Sequence, residues 1–387
     1  PFLWYQALKD ELLQLGFETS PFCPCTFVLR NPQTKEPDGI IGIHVDDGLC
    51  GGNQRFVEKL QALERKYPFG SHKTGQFTFT GIDMFQHPNK GITMSQAEYV
   101  KKCSPIKVSS ERRQQENSEV TPEERLALRG LIGSLQYAAV HTRPDLSSRL
   151  SFLQSDINKA TIQTLLEANK TLHEAKRHSN VTVTIQPIAC SELRFLAFSD
   201  ASFASKKVPD SHTGCIIMST HQNIEKNTTC LVNPISWGCK KIQRVVTSTL
   251  AAETVSLSSV LDQLSWIRLC WAWLLDPKVK WQKPEQALVD LPQSFSTATY
   301  KAQNLPEGLA ATDCKSLFDL VTRTATPTCS EYRTMLNAKK IKEMLEEGVQ
   351  LRWVASGAQL ADSLTKIMDT SFLRETLLQG QYRLNDE

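Results

Sequence analysis

From Val181 onward the chain reads strand–strand–strand–helix–strand–helix–strand–helix, and four carboxylates are threaded on that order. Such an alternation describes a mixed sheet flanked by helices. Asp200 stands in FSDAS, Glu253 in TSTLAAETVS, Asp313 in ATDCKS and Asp362 in QLADSLTK. The first and third follow apolar runs that read as strands, while the second and fourth sit in helical patterns. Gathered at one end of a sheet, such groups form a hard-oxygen cage for divalent cations. Two Mg²⁺ ions held about 4 Å apart in it can clamp the attacking and leaving oxygens of a phosphodiester.

A single aspartate after a strand is more often a helix cap or a turn residue. The joint pattern shifts that balance. Glu253 shares a helix face with Leu257, Val260, Leu261 and Leu264, which turns its carboxylate toward the packed side, where an unpaired charge is costly. A metal relieves that cost. Asp362 likewise stands just ahead of an apolar helical run.

With 387 residues, the length prior gives two to three domains. An apolar fraction of 40% with 22% charged residues suits a globular chain with a sizeable core. The formal charge is only +3, so any basic, nucleic-acid-facing surface must be local. Eleven cysteines with no CxxC pair fit free thiols in a reducing compartment better than a zinc site or a disulfide framework. The most apolar stretch, Thr254 to Leu275, contains Asp262 and Arg268 and reads as a buried helix, so no membrane partner is expected.

The upstream half reads differently. Leu3 to Leu15 is a helical pattern, followed by a hairpin whose arms are CTFVLRN and IIGIHVDD, with Asp46 and Asp47 at or just past the second arm. Gln54 to Tyr67 returns to helical period, and Gly75 to Phe85 and Gly91 to Met94 read as short strands. Lys101 to Glu124 is polar and charge-dense, a linker or mobile loop. Helices are expected over Arg125 to Val140 and Ala160 to His178, broken by HTRPD at its proline. A domain boundary is placed near Pro187. The chain opens on Pro1 within a helical pattern, and a fragment of something longer is expected.

FSDASFAS, GCIIMS, PISWGCKKIQRVVTSTLAAETVSLSS, ATDCKSLFDL and LRWVASGAQLADSLTK resemble the ribonuclease H domain of copia-type LTR retrotransposon Pol polyproteins. Upstream, LWYQALKDELLQLGF, FVLRN, HVDDGLCGG, GITMSQAEYVKK and RGLIGSLQYAAVHTRPDLSS are similar to the reverse transcriptase of the same polyprotein. The resemblance implies a mixture of α/β and α+β structure in three parts. Residues 1–105 are a truncated reverse-transcriptase palm, and 106–187 a linker with a helical thumb or connection. Residues 188–387 are a ribonuclease H-like domain, a mixed five-stranded sheet with flanking helices, carrying an inserted loop at about 276–308.

By that resemblance Asp200, Glu253, Asp313 and Asp362 are the catalytic, metal-binding quartet of a nuclease cutting the RNA strand of RNA–DNA hybrids. The cofactor implied is two Mg²⁺ ions, or Mn²⁺ in their place, and the cleavage leaves a 3′-hydroxyl and a 5′-phosphate. Asp46 and Asp47 correspond to the metal-binding aspartates of the polymerase palm, with His44 where the family carries an aromatic residue. The family's third palm aspartate and its fingers fall before Pro1, so polymerase activity from this chain alone is not expected. SEYRTMLNAKKIKE lacks the family's Lys-His dipeptide.

Lys240, Lys241 and Arg244, just ahead of the Glu253 helix, suit phosphate contacts, with an ordinary solvated turn as the equal alternative. Lys206 and Lys207, beside Asp200, could track a nucleic-acid backbone but read better as an exposed loop. Trp266 and Trp273, on one helix face, suit core packing better than base stacking. Cys314 reads as a small buried filler rather than a nucleophile. The implied partners are an RNA–DNA hybrid and other Pol or Gag segments of the element, in cytoplasmic particles and the nucleus. The competing reading is a catalytically decayed or repurposed nucleic-acid-binding remnant. A third reading, reverse transcription, needs the missing part from another chain.

Overall fold

The helical spacing near the start becomes a helix over Phe2–Gln14. It buries Leu8 and Leu12 against an antiparallel sheet whose strands run in chain order: β1 (Phe17–Thr19), β2 (Thr26–Arg30), β3 (Pro37–His44) and β4 (Asp47–Gly52). The computed structural model describes residues 2–203, 210–277 and 306–385. The expected arms β2 and β3 pair as a hairpin. DGLCGG adds the further strand β4, which periodicity hides because four of its six residues are Gly or Asp. Helix Gln54–Lys66 is capped by Asn53, whose side chain accepts the Phe56 N–H at 3.2 Å. Phe56 lies so close over the hairpin that a Cβ on Gly52 would fall 2.5 Å from its ring.

The chain divides into two compact units. These elements, with Trp266–Pro306, form one; Gly75–Ser265 with Glu307–Glu387 form the other. The cuts differ from the expected boundaries at 105 and 187. Strands β5 (Gln76–Phe79), β6 (Ile82–Gln86) and β7 (Ile92–Ser95) belong to the second unit, and β8 (Val183–Ile185) completes their sheet by pairing antiparallel with β7. The run at Val181 to Ile185 reads as a strand just ahead of the boundary expected near Pro187. Its periodicity marks a strand but not the neighbour it pairs with.

Between β7 and β8 three helices, Pro122–His141, Ser147–Asp156 and Ile162–Arg177, bury Leu128, Leu135, Leu150, Leu165 and Leu172 together. The first starts inside the polar stretch expected to be a loop, where Thr121 and Glu124 form a reciprocal capping box.

The downstream sheet holds β9 (Leu193–Ser202), β10 (His212–His221), β11 (Thr229–Lys241), β12 (Gly308–Thr312), β13 (Val349–Trp353) and β14 (Gln381–Arg383). Its order is β13-β12-β9-β10-β11-β14. Strands β9, β10, β11 and β14 are antiparallel neighbours, while β12 lies parallel to both β9 and β13. This is the mixed sheet with flanking helices that the sequence predicts, but six strands stand where five are expected. The sixth is a three-residue edge strand, too short to show an alternation.

Strand β9 is nearly all buried, as befits a strand covered on both faces. One layer over the sheet contains Leu360, Leu364, Leu373 and Leu377. The helix Thr249–Leu275 buries Leu257, Val260, Leu261 and Leu264. Each such side chain contributes roughly 1.5–3 kcal/mol on burial. Among the described residues no helix is long and apolar enough to cross a membrane. Most of the expected insert at 276–308, and Lys206 with Lys207, lie outside the described residues.

Candidate metal centre

Three chain segments deliver carboxylates to one point. Asp200 lies near the end of β9, opposite Gly214 of β10. Asp313 directly follows β12, the strand parallel to β9, so both leave the sheet at the same end. Asp362 opens the short helix Asp362–Thr365, which packs on β9 and β10. One carboxylate oxygen from each of Asp200, Asp313 and Asp362 lies within 4.8 Å of the others.

Neighbouring groups fix these side chains. Thr365 Oγ1 donates to Asp200 Oδ2. Ser356 Oγ donates to Asp313 Oδ2 at 2.9 Å, and Trp353 Nε1 donates to the Asp313 carbonyl at 3.1 Å. Lys366 Nζ sits 2.5 Å from Asp362 Oδ1 and 3.6 Å from Asp200 Oδ2. Ser256, on the Glu253 helix, donates to the Asp200 carbonyl at 2.7 Å, and Gln359 Nε2 donates to the Ser199 carbonyl at 3.1 Å. Gly214 makes the close approach possible. A Cβ there would stand 2.5 Å from Thr365 Cγ2 and 3.0 Å from Leu364 Cβ.

Glu253, the expected fourth member, is not among the three whose oxygens lie within 4.8 Å of one another, but it stands near enough for the charges of Asp200 and Asp313 to act on its carboxyl. It is 4% exposed, and its Oε2 is buried without a hydrogen-bond partner among the described residues. Burial, with the charges of Asp200 and Asp313 added, pushes its carboxyl up to about 9, against the Ala201 backbone N–H and Lys366. Asp200 is pushed up to about 6, again mainly by burial, against Lys366 and Thr365 and with Asp362 and Asp313 adding to the rise. Ionising these groups carries a cost that a cation would offset. Their donors are carboxylate oxygens, the set that hard divalent cations take. Asp200, Asp313 and Asp362 fit a divalent cation, the kind of cofactor that the resemblance implies.

The other expected residues are placed elsewhere or differently. Asp46 lies in the turn between β3 and β4, and Asp47 opens β4 opposite His44; both are exposed. Among the described residues no third carboxylate, His or Cys joins them closely enough to share an ion. Lys240 and Lys241 end β11, in register with Thr213 and His212, so they leave the sheet near the end that carries Asp200. Lys240 is exposed and Arg244 half-buried, whereas Lys241 is paired with Asp210 at 2.7 Å. Trp273 is buried, the core packing expected of it, whereas Trp266 is 47% exposed and so does not pack into the core as expected; both meet the Phe22 ring edge-to-face. Burial raises the Cys314 thiol, which suits a filler rather than a nucleophile. All eleven cysteines are free.

Sequence reasoning missed Thr365, Lys366, Ser356, Gln359 and Gly214. Thr365 and Lys366 stand in the same LADSLTK string as Asp362, three and four residues on, the spacing that places side chains on one helix face. The remaining three act through tertiary proximity and leave no local signal.

No family model matches the chain. It is 27% identical over 282 residues to the retrovirus-related Pol polyprotein from transposon RE1 of Arabidopsis thaliana, covering 69% of this chain. It is 28% identical over 284 residues to that from transposon RE2 of the same plant, again over 69% of this chain. Its homologues are transposon Pol polyproteins. The resemblance to copia-type Pol is thereby borne out, and the chain spans 18% of the length of these relatives.

Among solved structures, a foamy viral protease–reverse transcriptase in complex with double-stranded DNA is 10% identical, covering 91% of this chain and 48% of that one with a TM-score of 0.47. The ribonuclease H1 of Halobacterium salinarum is 12% identical, covering 44% and 94% with a TM-score of 0.28. Scores this low add nothing to the topology described above.

Proposed function

We propose that this part of a transposon Pol polyprotein is a nuclease that cuts the RNA strand of RNA–DNA hybrids with two divalent cations. The observation that carries the reading is the orphaned Glu253 Oε2 beside three aspartates whose oxygens lie within 4.8 Å of one another. Asp200, Glu253, Asp313 and Asp362 would hold Mg²⁺ or Mn²⁺. Bound there, the ions would activate the attacking water and stabilise the departing oxygen.

The chain's own part is positional. Ser356 and Thr365 orient carboxylate oxygens, and Ser256 and Gln359 hold the backbone at β9 that carries Asp200. Lys240 and Arg244 supply phosphate contacts that place the hybrid, while Lys241 shares its charge with Asp210. Discrimination for RNA would rest on contacts to 2′-hydroxyls. No polymerase activity is proposed, because two exposed aspartates without a third acidic partner among the described residues make a poor cage for two ions.

The test is gel-resolved cleavage of a labelled hybrid by the purified chain with Mg²⁺, double-stranded DNA serving as control. Cleavage of the RNA strand alone is expected. Asp200→Asn should reduce it at least about a thousandfold, since several kcal/mol of transition-state stabilisation leave with the ligand. A folded wild-type chain that binds hybrid but never cuts it would favour the repurposed-remnant reading.

A further inference from the structure

Three aspartates within 4.8 Å of one another, with Glu253 near them, need counter-charge whether or not a metal is present. Lys366 supplies some of it. Its ammonium lies 2.5 Å from Asp362 Oδ1 and 3.6 Å from Asp200 Oδ2, reaching two of the three clustered aspartates at once. The Asp200 side chain is 2% exposed, while that of Lys366 is 44% exposed. The ammonium therefore enters the cluster from the solvent side and retains a path back to water. Lys366 follows the last residue of the short Asp362 helix, in extended backbone conformation. A four-carbon stem with rotatable bonds springs from that point.

We propose that Lys366 is the resident counter-cation of this cluster: it holds Asp200 and Asp362 together when no metal is bound, and an entering divalent cation displaces it. The inference rests on the reading of the cluster as a cation site. A single positive charge cannot balance the three clustered aspartates, so the cluster keeps its pull on a doubly charged ion while Lys366 is in place. An ammonium beside two of the ligands nevertheless opposes that ion, both by repulsion and by occupying ligand oxygens. The lysine thus steadies the metal-free chain at the expense of cation affinity. Glu253 Oε2, which has no partner among the described residues, is the oxygen the lysine leaves unserved.

The experiment compares wild type with Lys366→Met and Lys366→Arg in the full chain, with two readouts: Mn²⁺ binding by calorimetry, and thermal unfolding with and without chelator. Lys366→Met should bind Mn²⁺ on the order of tenfold more tightly and melt lower than wild type in chelator, with the gap closing at saturating Mn²⁺. Lys366→Arg, which keeps the charge, should stay close to wild type in both. If wild type binds Mn²⁺ and Lys366→Met binds it equally or more weakly, the counter-cation role is wrong and the metal site stands. If neither protein binds Mn²⁺, the metal-site reading falls and takes this inference with it. Should Lys366→Met not fold in chelator, Lys366→Gln serves in its place, and affinity no tighter than wild type overturns the proposal.

Discussion

Two clusters of buried charge in the same compact unit behave in opposite ways. Arg143 and Asp145, in the HTRPD string, are 2% and 3% exposed and close on each other completely. Arg143 donates to both carboxylate oxygens at 2.8 Å and to the Ala175 carbonyl at 2.8 Å. Such a bidentate pair leaves little for a ligand to satisfy. At Asp200, Glu253, Asp313 and Asp362 the acids outnumber the cation beside them, and one oxygen has no partner among the described residues. Burial alone therefore does not mark a reactive site. Burial left unbalanced does.

The contrast can be broken most forcefully at the closed pair. Arg143→Ala strands Asp145 in the interior and should cost about 3–5 kcal/mol, read as a lower denaturant midpoint at unchanged slope. A loss below about 1 kcal/mol would mean that the pair is not closed as described.

The open cluster should respond in the other direction. The raised Glu253 carboxyl binds its proton more tightly in the folded chain than in the unfolded one. Between the ordinary value of 4.5 and about 9, the folded state therefore holds more protons, and stability falls as pH rises through that window. Asp200 adds the same slope between 3.8 and about 6. In chelator at pH 8, Glu253→Gln should thus melt above wild type, by on the order of 1–3 kcal/mol, with the advantage vanishing near pH 4. An equal or lower melting point at pH 8 would show that the glutamate is balanced after all.

A smaller effect is expected at Gly214. Gly214→Ala forces the Asp362 helix away from β10 and should cost roughly 1–3 kcal/mol, while weakening Mn²⁺ binding. Unchanged binding would separate the helix's seat from the site. Least of all, Asp46→Asn should leave hybrid cleavage unaltered and shift stability by no more than about 0.5 kcal/mol, as for other exposed positions.

How much of this was legible in the sequence depended on distance along the chain. The helix face shared by Glu253 and Leu257, Val260, Leu261 and Leu264 was readable, because a 3.6-residue period is local, and all five residues are buried. So were the strands ahead of Asp200 and Asp313. The pairing of β8 with β7 was not, because nearly ninety residues separate them and an alternation names no neighbour. The same holds for Ser356 on Asp313 and Gly214 beneath Thr365. The carboxylates announced themselves through their surrounding strings. The groups that aim them are ordinary serines, threonines and glycines, whose purpose exists only once the chain has folded.

The seating of the short Asp362 helix over β9 and β10 also sets an order of events during synthesis. Strands β9, β10 and β11 are neighbours along the chain and can zip together early, whereas β12 must close a long loop to reach β9. The last aspartate arrives later still, from a segment far downstream that must dock on strands already made. A growing chain lengthens by roughly 5–20 residues each second. For several seconds, then, a ribosome-bound intermediate carries a partly built sheet with an incomplete set of acids, until the Asp362 helix docks.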